Sequence, residues 1–229
     1  FKPGSAPFKA GTINIMLFLD CNLAPGILTR ALVTCTEAKT AAIQELLQGS
    51  LYSQGLATGS GTDQTIIVAN ADSSLYLDDA GKHAKLGELI GLTVTKAVKA
   101  ALFKQTGLCP ASQHHALRRL ERFGVSREKL WQAYLEQQAH PVLKPEFVSR
   151  LEQLVTDGEV VTLVSLYAHL LDQYVWELLP AAEAAAGCQQ LLQLLAAYLQ
   201  VPEPPGTPEF TTRQAVTSLT QLLVQKLLV

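Results

Sequence analysis

Hydroxyl side chains and one carboxylate are concentrated in the glycine-rich stretch GLATGSGTDQTIIVAN, residues 55–70. Thr58, Ser60, Thr62 and Asp63 lie among the glycines, and an apolar run follows them at once. One interpretation is a tight turn in which Asp63 accepts hydrogen bonds from backbone N–H groups. A phosphate cradle is disfavoured, because neither GxxxxGK[ST] nor GxGxxG before a helix is present. The third interpretation is the floor of a polar pocket, in which Asp63 serves as an acid, a base or an anchor.

A second acid and a lysine occur in the stretch TCTEAKTAA, as Glu37 and Lys39. We predict a helix that begins at Thr36, so Lys39 would lie in its first turn and oppose the helix dipole. A salt bridge or a ligand contact would compensate for that position. The alternative is a solvated lysine without a role.

The charged stretch GKHAKLGE adds His83, Lys85 and Glu88. A loop histidine near a carboxylate can act as a general acid or base, because its pKa lies close to neutral pH. The alternative is an exposed side chain that takes no part in chemistry.

The cysteines and histidines show no metal-binding spacing. Cys21, Cys35, Cys109 and Cys188 are scattered, and neither CxxC nor HExxH occurs. We therefore predict reduced thiols, most of them in the core, and no required metal or cofactor. Cys35 is the one rival candidate for a catalytic cysteine, because polar residues flank it.

The elements that must position these residues change in character along the chain. The first half predicts a mixed α/β domain over residues 1–107, and the second half predicts a helical extension over residues 108–229. Periodicity and composition predict a strand at Thr12–Asp20, a strand at Ile27–Cys35, a helix at Thr36–Gly49, a strand at Gln64–Asn70 and a helix at Lys85–Gln105 that Gly107 ends.

The second half shows only helical signals. Pro180 is predicted to end one helix, VPEPPGTPEF to form a stiff connector, and Thr211 or Thr212 to cap the last helix. That last helix carries a leucine stripe, so we expect it to cover the α/β domain or to form an interface with a second copy of the chain.

Composition limits the classes of protein to which the chain can belong. The chain has 229 residues, is 48% hydrophobic and 17% charged, and carries a net charge of −2. We expect a globular, cytoplasmic protein that binds neither nucleic acid nor membrane, since its field attracts no polyanion and no apolar run reaches membrane-spanning length. No signal-peptide pattern opens the chain, and it begins with Phe1, so we expect that the true N-terminus is missing.

Four motifs in a fixed order carry a resemblance to a known family. GTINIMLFLD, RALVTCTEAKTAA, GLATGSGTDQTIIVAN and HAKLGELIG resemble the adenosylcobinamide amidohydrolases of corrinoid salvage. The likeness covers roughly Gly11 to Gly107. Family domains usually carry a further α/β stretch before the GTIN strand, so the resemblance implies that the N-terminal portion of the domain is lacking here.

The resemblance implies hydrolysis of the amide that joins aminopropanol to the corrin ring in adenosylcobinamide, with adenosylcobyric acid as a product. Some members prefer complete pseudo-cobamides. On this hypothesis N–H groups near Gly59–Thr62 bind the oxyanion, Asp63 or Glu37 activates water, and His83 or Lys39 protonates the departing amine. A covalent nucleophile among the loop hydroxyls stays open. We predict that the substrate-binding residues are Asn14, Thr58, Ser60, Thr62, Lys85 and Glu88.

Two rivals belong to other classes. The first is a corrinoid-binding module without catalysis. The second is a helix-turn-helix within ASQHHALRRLERFGVSREKLW, where Arg118, Arg119 and Arg122 would meet phosphates, although we interpret them as a solvated basic face.

Overall fold

The computed structural model describes residues 11–204 and 210–229. They form two compact units. The first holds the described residues up to Gln48 together with Leu56–Pro110, and the second holds Gly49–Gly55 together with the described residues from Ala111 onward. The first unit contains strands and helices and the second only helices, which confirms the predicted mixed α/β class with a helical C-terminal region.

Two short parallel pairs of strands form the sheets of the α/β unit. Strand β1 (Asn14–Leu19) pairs with β3 (Gln64–Ala69), and β2 (Asn22–Leu23) pairs with β4 (Tyr76–Leu77). Side chains alternate between the two faces of a strand. Leu17 and Leu19 are therefore buried on one face of β1, whereas the opposite face is open: Met16 is 66% exposed and Phe18 is 71% exposed.

Helix α1 runs without a break from Pro25 to Glu45, so the predicted strand at Ile27–Cys35 is wrong. Pro25 suits the first helical position, where a missing N–H costs nothing. Small side chains then recur every three or four residues on the buried face: Ala31, Cys35, Ala38 and Ala42. This helical period outweighs the strand preference of the isolated β-branched residues.

The continuous helix also corrects three local predictions. Thr36 does not cap a helix; it lies inside α1 and donates its hydroxyl to the carbonyl of Leu32. Lys39 is therefore mid-helix, so the argument from the helix dipole does not apply to it. The helix ends at Glu45 rather than at Gly49, and Leu47 follows with a φ of 51°.

Helix α2 (Lys85–Thr106) confirms its prediction and ends at Gly107, whose φ is 73°. It packs against α1, and Thr95 donates to the carbonyl of Ala38. Its first turn approaches the preceding loop so closely that a Cβ on Gly87 would lie 1.8 Å from the carbonyl oxygen of Gly81. Only glycine fits there, which fixes the start of α2 against this loop.

The helical unit buries one apolar core. Its six α-helices are α3 (Ala116–Leu120), α4 (Arg127–Gln137), α5 (Lys144–Thr156), α6 (Gly158–Val175), α7 (Ala181–Leu199) and α8 (Thr212–Leu228). Thr211 accepts a hydrogen bond from the N–H of Gln214, which confirms it as the cap of α8. The leucine stripe of α8 is buried within this unit: Leu219, Leu222, Leu223 and Leu227.

Pro180 does not end a helix, because α6 already ends at Val175 and Pro180 instead precedes the first residue of α7. The predicted proline-rich connector lies in part outside the described residues, at positions 205–209. Within the described ranges no single helix has the length and apolar character to cross a membrane; the α5–α6 pair has both only when taken together across a bend of 72°.

The arginines of the predicted basic face do not behave alike. Arg122 donates to both carboxylate oxygens of Asp172, at 2.5 and 2.6 Å, and the two side chains are only 7% and 10% exposed. Arg122 also donates to the backbone carbonyl of Gln54, at 2.7 Å. The prediction of a solvated face is therefore wrong for Arg122. Of the other two, Arg118 is exposed and Arg119 is half-buried.

Candidate functional site

The carboxylate of Asp63 lies at the centre of a hydrogen-bonded cluster at the amino end of β3. Its Oδ2 accepts from Nζ of Lys39 at 2.5 Å and from the N–H of Ser60 at 3.1 Å. Its Oδ1 accepts from the N–H of Ile13 at 3.1 Å and from the hydroxyl of Ser60. The cluster thus joins three parts of the chain: helix α1, the loop before β3 and the residue before β1.

This arrangement fixes the charge of Asp63. Burial raises the pKa of its carboxyl, but the hydrogen bonds from Lys39, Ser60 and Ile13 outweigh burial, and the net pKa lies below its usual range. The carboxylate is therefore ionised at neutral pH and is a weak proton acceptor. Both side chains of the Lys39–Asp63 pair are only 10% exposed, so water screens their attraction weakly.

Two glycines give the loop its shape. A Cβ on Gly59 would lie 2.5 Å from Oδ2 of Asp63 and 3.3 Å from Nζ of Lys39, so a side chain there would collide with the ion pair. Gly61 has a φ of 87°, a conformation that other residues rarely adopt. The alternation of glycine with Ser60 and Thr62 therefore lets the backbone pass directly over a buried charge.

Some backbone N–H groups of the loop before β3 are not used in hydrogen bonds within the protein. The hydroxyl of Thr62 is hydrogen-bonded to that of Thr12 at 2.7 Å, and the carbonyl of Thr58 accepts from Thr40 at 3.1 Å. Within the part of the chain that the structure describes, the backbone N–H groups of Gly61 and Thr62 have no hydrogen-bond partner. Free N–H groups in a loop that passes over a buried ion pair are donors of the kind that bind a developing negative charge.

The structure does not bring all the predicted site residues to this cluster. Asp63, Lys39 and Ser60 are in contact, and Thr58 and Thr62 belong to the same loop. Glu37 is exposed on α1, two positions before Lys39, and residues two apart do not share a helix face. Glu37 is therefore directed away from the ion pair.

The other predicted residues lie elsewhere in the α/β unit. Asn14 opens β1 and is exposed beside Gln64. His83 is an exposed residue just before α2, and Lys85 pairs with Glu88 at 2.7 Å on its first turn. Lys85 lies with residues that follow the carboxyl end of β1, whereas Asp63 precedes β3. A six-residue strand spans roughly 17–20 Å, so two separate places carry the predicted groups.

Sequence reasoning missed an open cleft of about 550 Å³ beside the carboxyl end of β1. Its polar lining includes Asp20, Asp78 and Asp79, none of which the sequence singled out. One signal was present: Asp20 is the last residue of the predicted strand at Thr12–Asp20, and the carboxyl ends of parallel strands are where α/β proteins place ligands.

The described residues give little support for a catalytic role of Cys35 or for a metal centre. Cys35 is fully buried, and burial raises its pKa, although the nearby charge of Lys39 acts in the opposite direction. A protonated, buried thiol is a poor nucleophile. Within residues 11–204 and 210–229 no group of three or more His, Cys, Asp or Glu side chains is arranged to hold a metal ion.

Comparison with known proteins gives a family match for the α/β part of the chain. Residues 2–110 match the family model described as adenosylcobinamide amidohydrolase, which confirms the resemblance found from the four motifs. A stretch of 98 residues, 42% of the chain, is 43% identical to an uncharacterized protein of Methanocaldococcus jannaschii and covers 38% of that protein. The chain thus matches well under half the length of this relative. No solved structure matches the chain.

Proposed function

We propose that the chain, whose residues 2–110 match the adenosylcobinamide amidohydrolase family model, hydrolyses the amide between aminopropanol and the corrin ring of adenosylcobinamide. The products are adenosylcobyric acid and 1-amino-2-propanol, so the reaction serves corrinoid salvage. One observation supports the location of the site: the loop of GLATGSGTDQTIIVAN, one of the four motifs that carry the resemblance, folds directly over the buried Lys39–Asp63 pair.

The ionised carboxylate of Asp63 acts as an anchor in this proposal. It accepts four hydrogen bonds, two at each oxygen, from Lys39, Ser60 and Ile13. A carboxylate with a lowered pKa removes protons poorly, so its contribution is to hold the loop and the lysine in place and to keep a negative charge beside the ammonium group.

Lys39 supplies the positive charge and a proton. Its ammonium group has three N–H donors and gives one to Asp63, which leaves others for the substrate. Hydrolysis of an amide passes through a tetrahedral oxyanion and releases an amine that must take up a proton. The cation stabilises the oxyanion, with the N–H groups of Gly61 and Thr62, and gives a proton to the departing aminopropanol. The proton that the attacking water loses then restores the ammonium group of Lys39.

Residues at the other end of the unit contribute by binding. Lys85 lines the cleft beside the carboxyl end of β1, Glu88 pairs with it, and His83 precedes it by two residues. In this proposal the three contact parts of a large substrate away from the scissile amide. The corrinoid is a substrate, and the proposed hydrolysis uses only water as its second reactant.

The proposal is tested by incubating the protein with adenosylcobinamide and measuring adenosylcobyric acid and aminopropanol by mass spectrometry. Time-dependent formation of both products in equal amounts supports the amidohydrolase. Tight binding of the corrinoid without either product would support the rival, a corrinoid-binding module, and would refute the proposed reaction.

A further inference from the structure

The cleft beside the carboxyl end of β1 has no part in the cleavage step proposed above. Its walls are mainly apolar and come from three elements: β1, the segment around β4 and the first two turns of α2. Leu77, Leu86 and Ile90 line it, together with Phe18 of β1. The cleft lies within the α/β unit, which is the part of the chain that matches the family.

The size and position of the cleft are those of a small-molecule site. Its volume of about 550 Å³ falls within the roughly 300–1,000 Å³ typical of pockets for drug-sized ligands. It opens where β1 ends, and the carboxyl ends of parallel strands are the usual ligand-binding edge of an α/β sheet. A corrin macrocycle with all its side chains is larger than a drug-sized ligand, so the cleft suits only a part of the proposed substrate.

The three carboxylates of the cleft select for hydrogen-bond donors, and the one lysine among its described lining residues, Lys85, is paired with Glu88. Asp20 accepts from the side-chain amide of Asn70 at 2.8 Å, and Asp79 accepts from the N–H of Gly81 at 2.7 Å. Each of these contacts uses only Oδ1, so the second oxygen of each carboxylate is left for a ligand. Asp78 has no hydrogen-bond partner among the described residues. A ligand that fits has an apolar, flat body and several O–H or N–H donors.

We propose that this cleft binds the adenosyl group of the substrate, an inference that rests on the proposed function. The adenine ring is flat and packs against the leucines and Phe18. The two ribose hydroxyls and the exocyclic amine of adenine are donors, and the carboxylates of Asp20, Asp78 and Asp79 accept from them. Carboxylates after strands of α/β folds bind ribose hydroxyls in this manner.

The binding experiment uses adenosine as the probe and titration calorimetry on the full chain. Adenosine binds, and 2′,3′-dideoxyadenosine binds at least tenfold more weakly because it lacks the two donors. Thr93→Phe fills the cleft from an exposed lining position and abolishes binding, whereas Leu92→Phe, on the adjacent exposed position outside the lining, leaves it unchanged. Equal binding of both ligands, equal binding of adenosine to all three proteins, or no binding of adenosine overturns the inference.

A kinetic comparison separates this inference from the proposed function. The wild-type protein hydrolyses adenosylcobinamide with a kcat/KM at least tenfold above that for cyanocobinamide, which lacks the adenosyl group. Asp78→Asn reduces that ratio, and Asp72→Asn, a surface aspartate outside the cleft, preserves it. Hydrolysis of both substrates with equal kcat/KM refutes the adenosyl site and leaves the amidohydrolase intact. Adenosine binding without hydrolysis of either corrinoid refutes the amidohydrolase and leaves the nucleoside site.

Discussion

At the scale of single residues, the proposed site depends on a carboxylate that is buried, ionised and hydrogen-bonded at both oxygens. Asp63 has a lowered pKa because Lys39, Ser60 and Ile13 donate to it more effectively than burial disfavours its charge. Sequence analysis found Asp63 and Lys39 from their types and motifs. It did not find that they pair, because the strand predicted at Ile27–Cys35 gave α1 the wrong start and Lys39 the wrong surroundings.

The lowered pKa of Asp63 predicts an acid-dependent loss of stability. A carboxyl whose folded pKa lies below its unfolded value of 3.8 stabilises the fold at higher pH, and this contribution is lost as the pH falls below about 4 towards the folded pKa. Asp63→Asn removes the titrating group. Its free energy of unfolding, measured with urea between pH 2 and 6, should therefore fall less steeply with acid than that of wild type. Identical slopes would contradict the pKa assignment.

Gly59 is predicted to tolerate no side chain. Gly59→Ala places a Cβ 2.5 Å from a carboxylate oxygen that four hydrogen bonds hold in place, so the loop must shift at a cost of about 1–3 kcal/mol. Gly26→Ala is the matched control, because a Cβ there meets nothing within 4 Å. Hydrolysis should fall at least tenfold for Gly59→Ala alone. Equal activity of the two variants would mean that the loop over the ion pair has no part in the reaction.

Lys39 is expected to be essential for turnover. Lys39→Met keeps the length of the side chain and removes the cation that stabilises the oxyanion, so kcat should fall by about 100-fold or more. Lys96→Met, at an exposed position of α2, is the matched control. Since Glu37 is directed away from the pair, Glu37→Gln should lower kcat less than Lys39→Met does. A larger loss of kcat in Glu37→Gln than in Lys39→Met would contradict the role of Lys39 and would indicate that Glu37 acts in the reaction.

At the scale of elements, β1, β3 and α2 were predicted, the two-residue strands β2 and β4 were not, and the failure at α1 has a physical cause. The β-branched and aromatic residues of Thr12–Asp20 indicated β1, the three-to-four spacing of apolar residues indicated α2, and Gly107 ended α2 as expected. Helix α1 failed because its Ile and Val residues favour strands locally, whereas its small buried side chains suit close packing with α2. Such packing is a tertiary effect that a local pattern does not contain.

Close packing at the start of α2 predicts that a side chain at Gly87 destabilises the fold. Gly87→Ala forces a Cβ to within 1.8 Å of the Gly81 carbonyl, so the fold should lose about 3 kcal/mol in urea unfolding. Gly91→Ala lies one turn later on the same helix, where a Cβ meets only the flexible end of Lys82 at 3.0 Å. This control should be neutral or slightly stabilising. Similar losses in both variants would show that glycine matters there only through helix propensity.

At the scale of the whole molecule, the chain divides into a unit that matches the family and a helical unit that does not. The sequence signalled this change at about residue 107, where strand patterns stop. It did not signal that Gly49–Gly55 belongs with the helices, because that placement depends on Arg122 and Asp172, which are far apart in sequence. An ion pair between residues far apart in the chain produces no periodic pattern in the sequence.

The Arg122–Asp172 pair should be important for the stability of the helical unit. Arg122→Met leaves the buried carboxylate of Asp172 unpaired and should cost about 3–5 kcal/mol. The double variant Arg122→Met, Asp172→Leu removes both charges and should recover most of that loss. Thermal unfolding compares the three proteins. A double variant as unstable as Arg122→Met alone would show that the packing of the arginine, rather than its charge, is what matters.

The most direct measurement is the kcat for release of aminopropanol from adenosylcobinamide by wild type, Asp63→Asn and Asp72→Asn. We predict turnover by wild type and by Asp72→Asn, and a loss of at least 100-fold in Asp63→Asn, because the amide lacks the negative charge and one of the two acceptor oxygens that hold Lys39 and the loop. Near-normal turnover by a folded Asp63→Asn protein would contradict the claim that the Lys39–Asp63 cluster performs the hydrolysis.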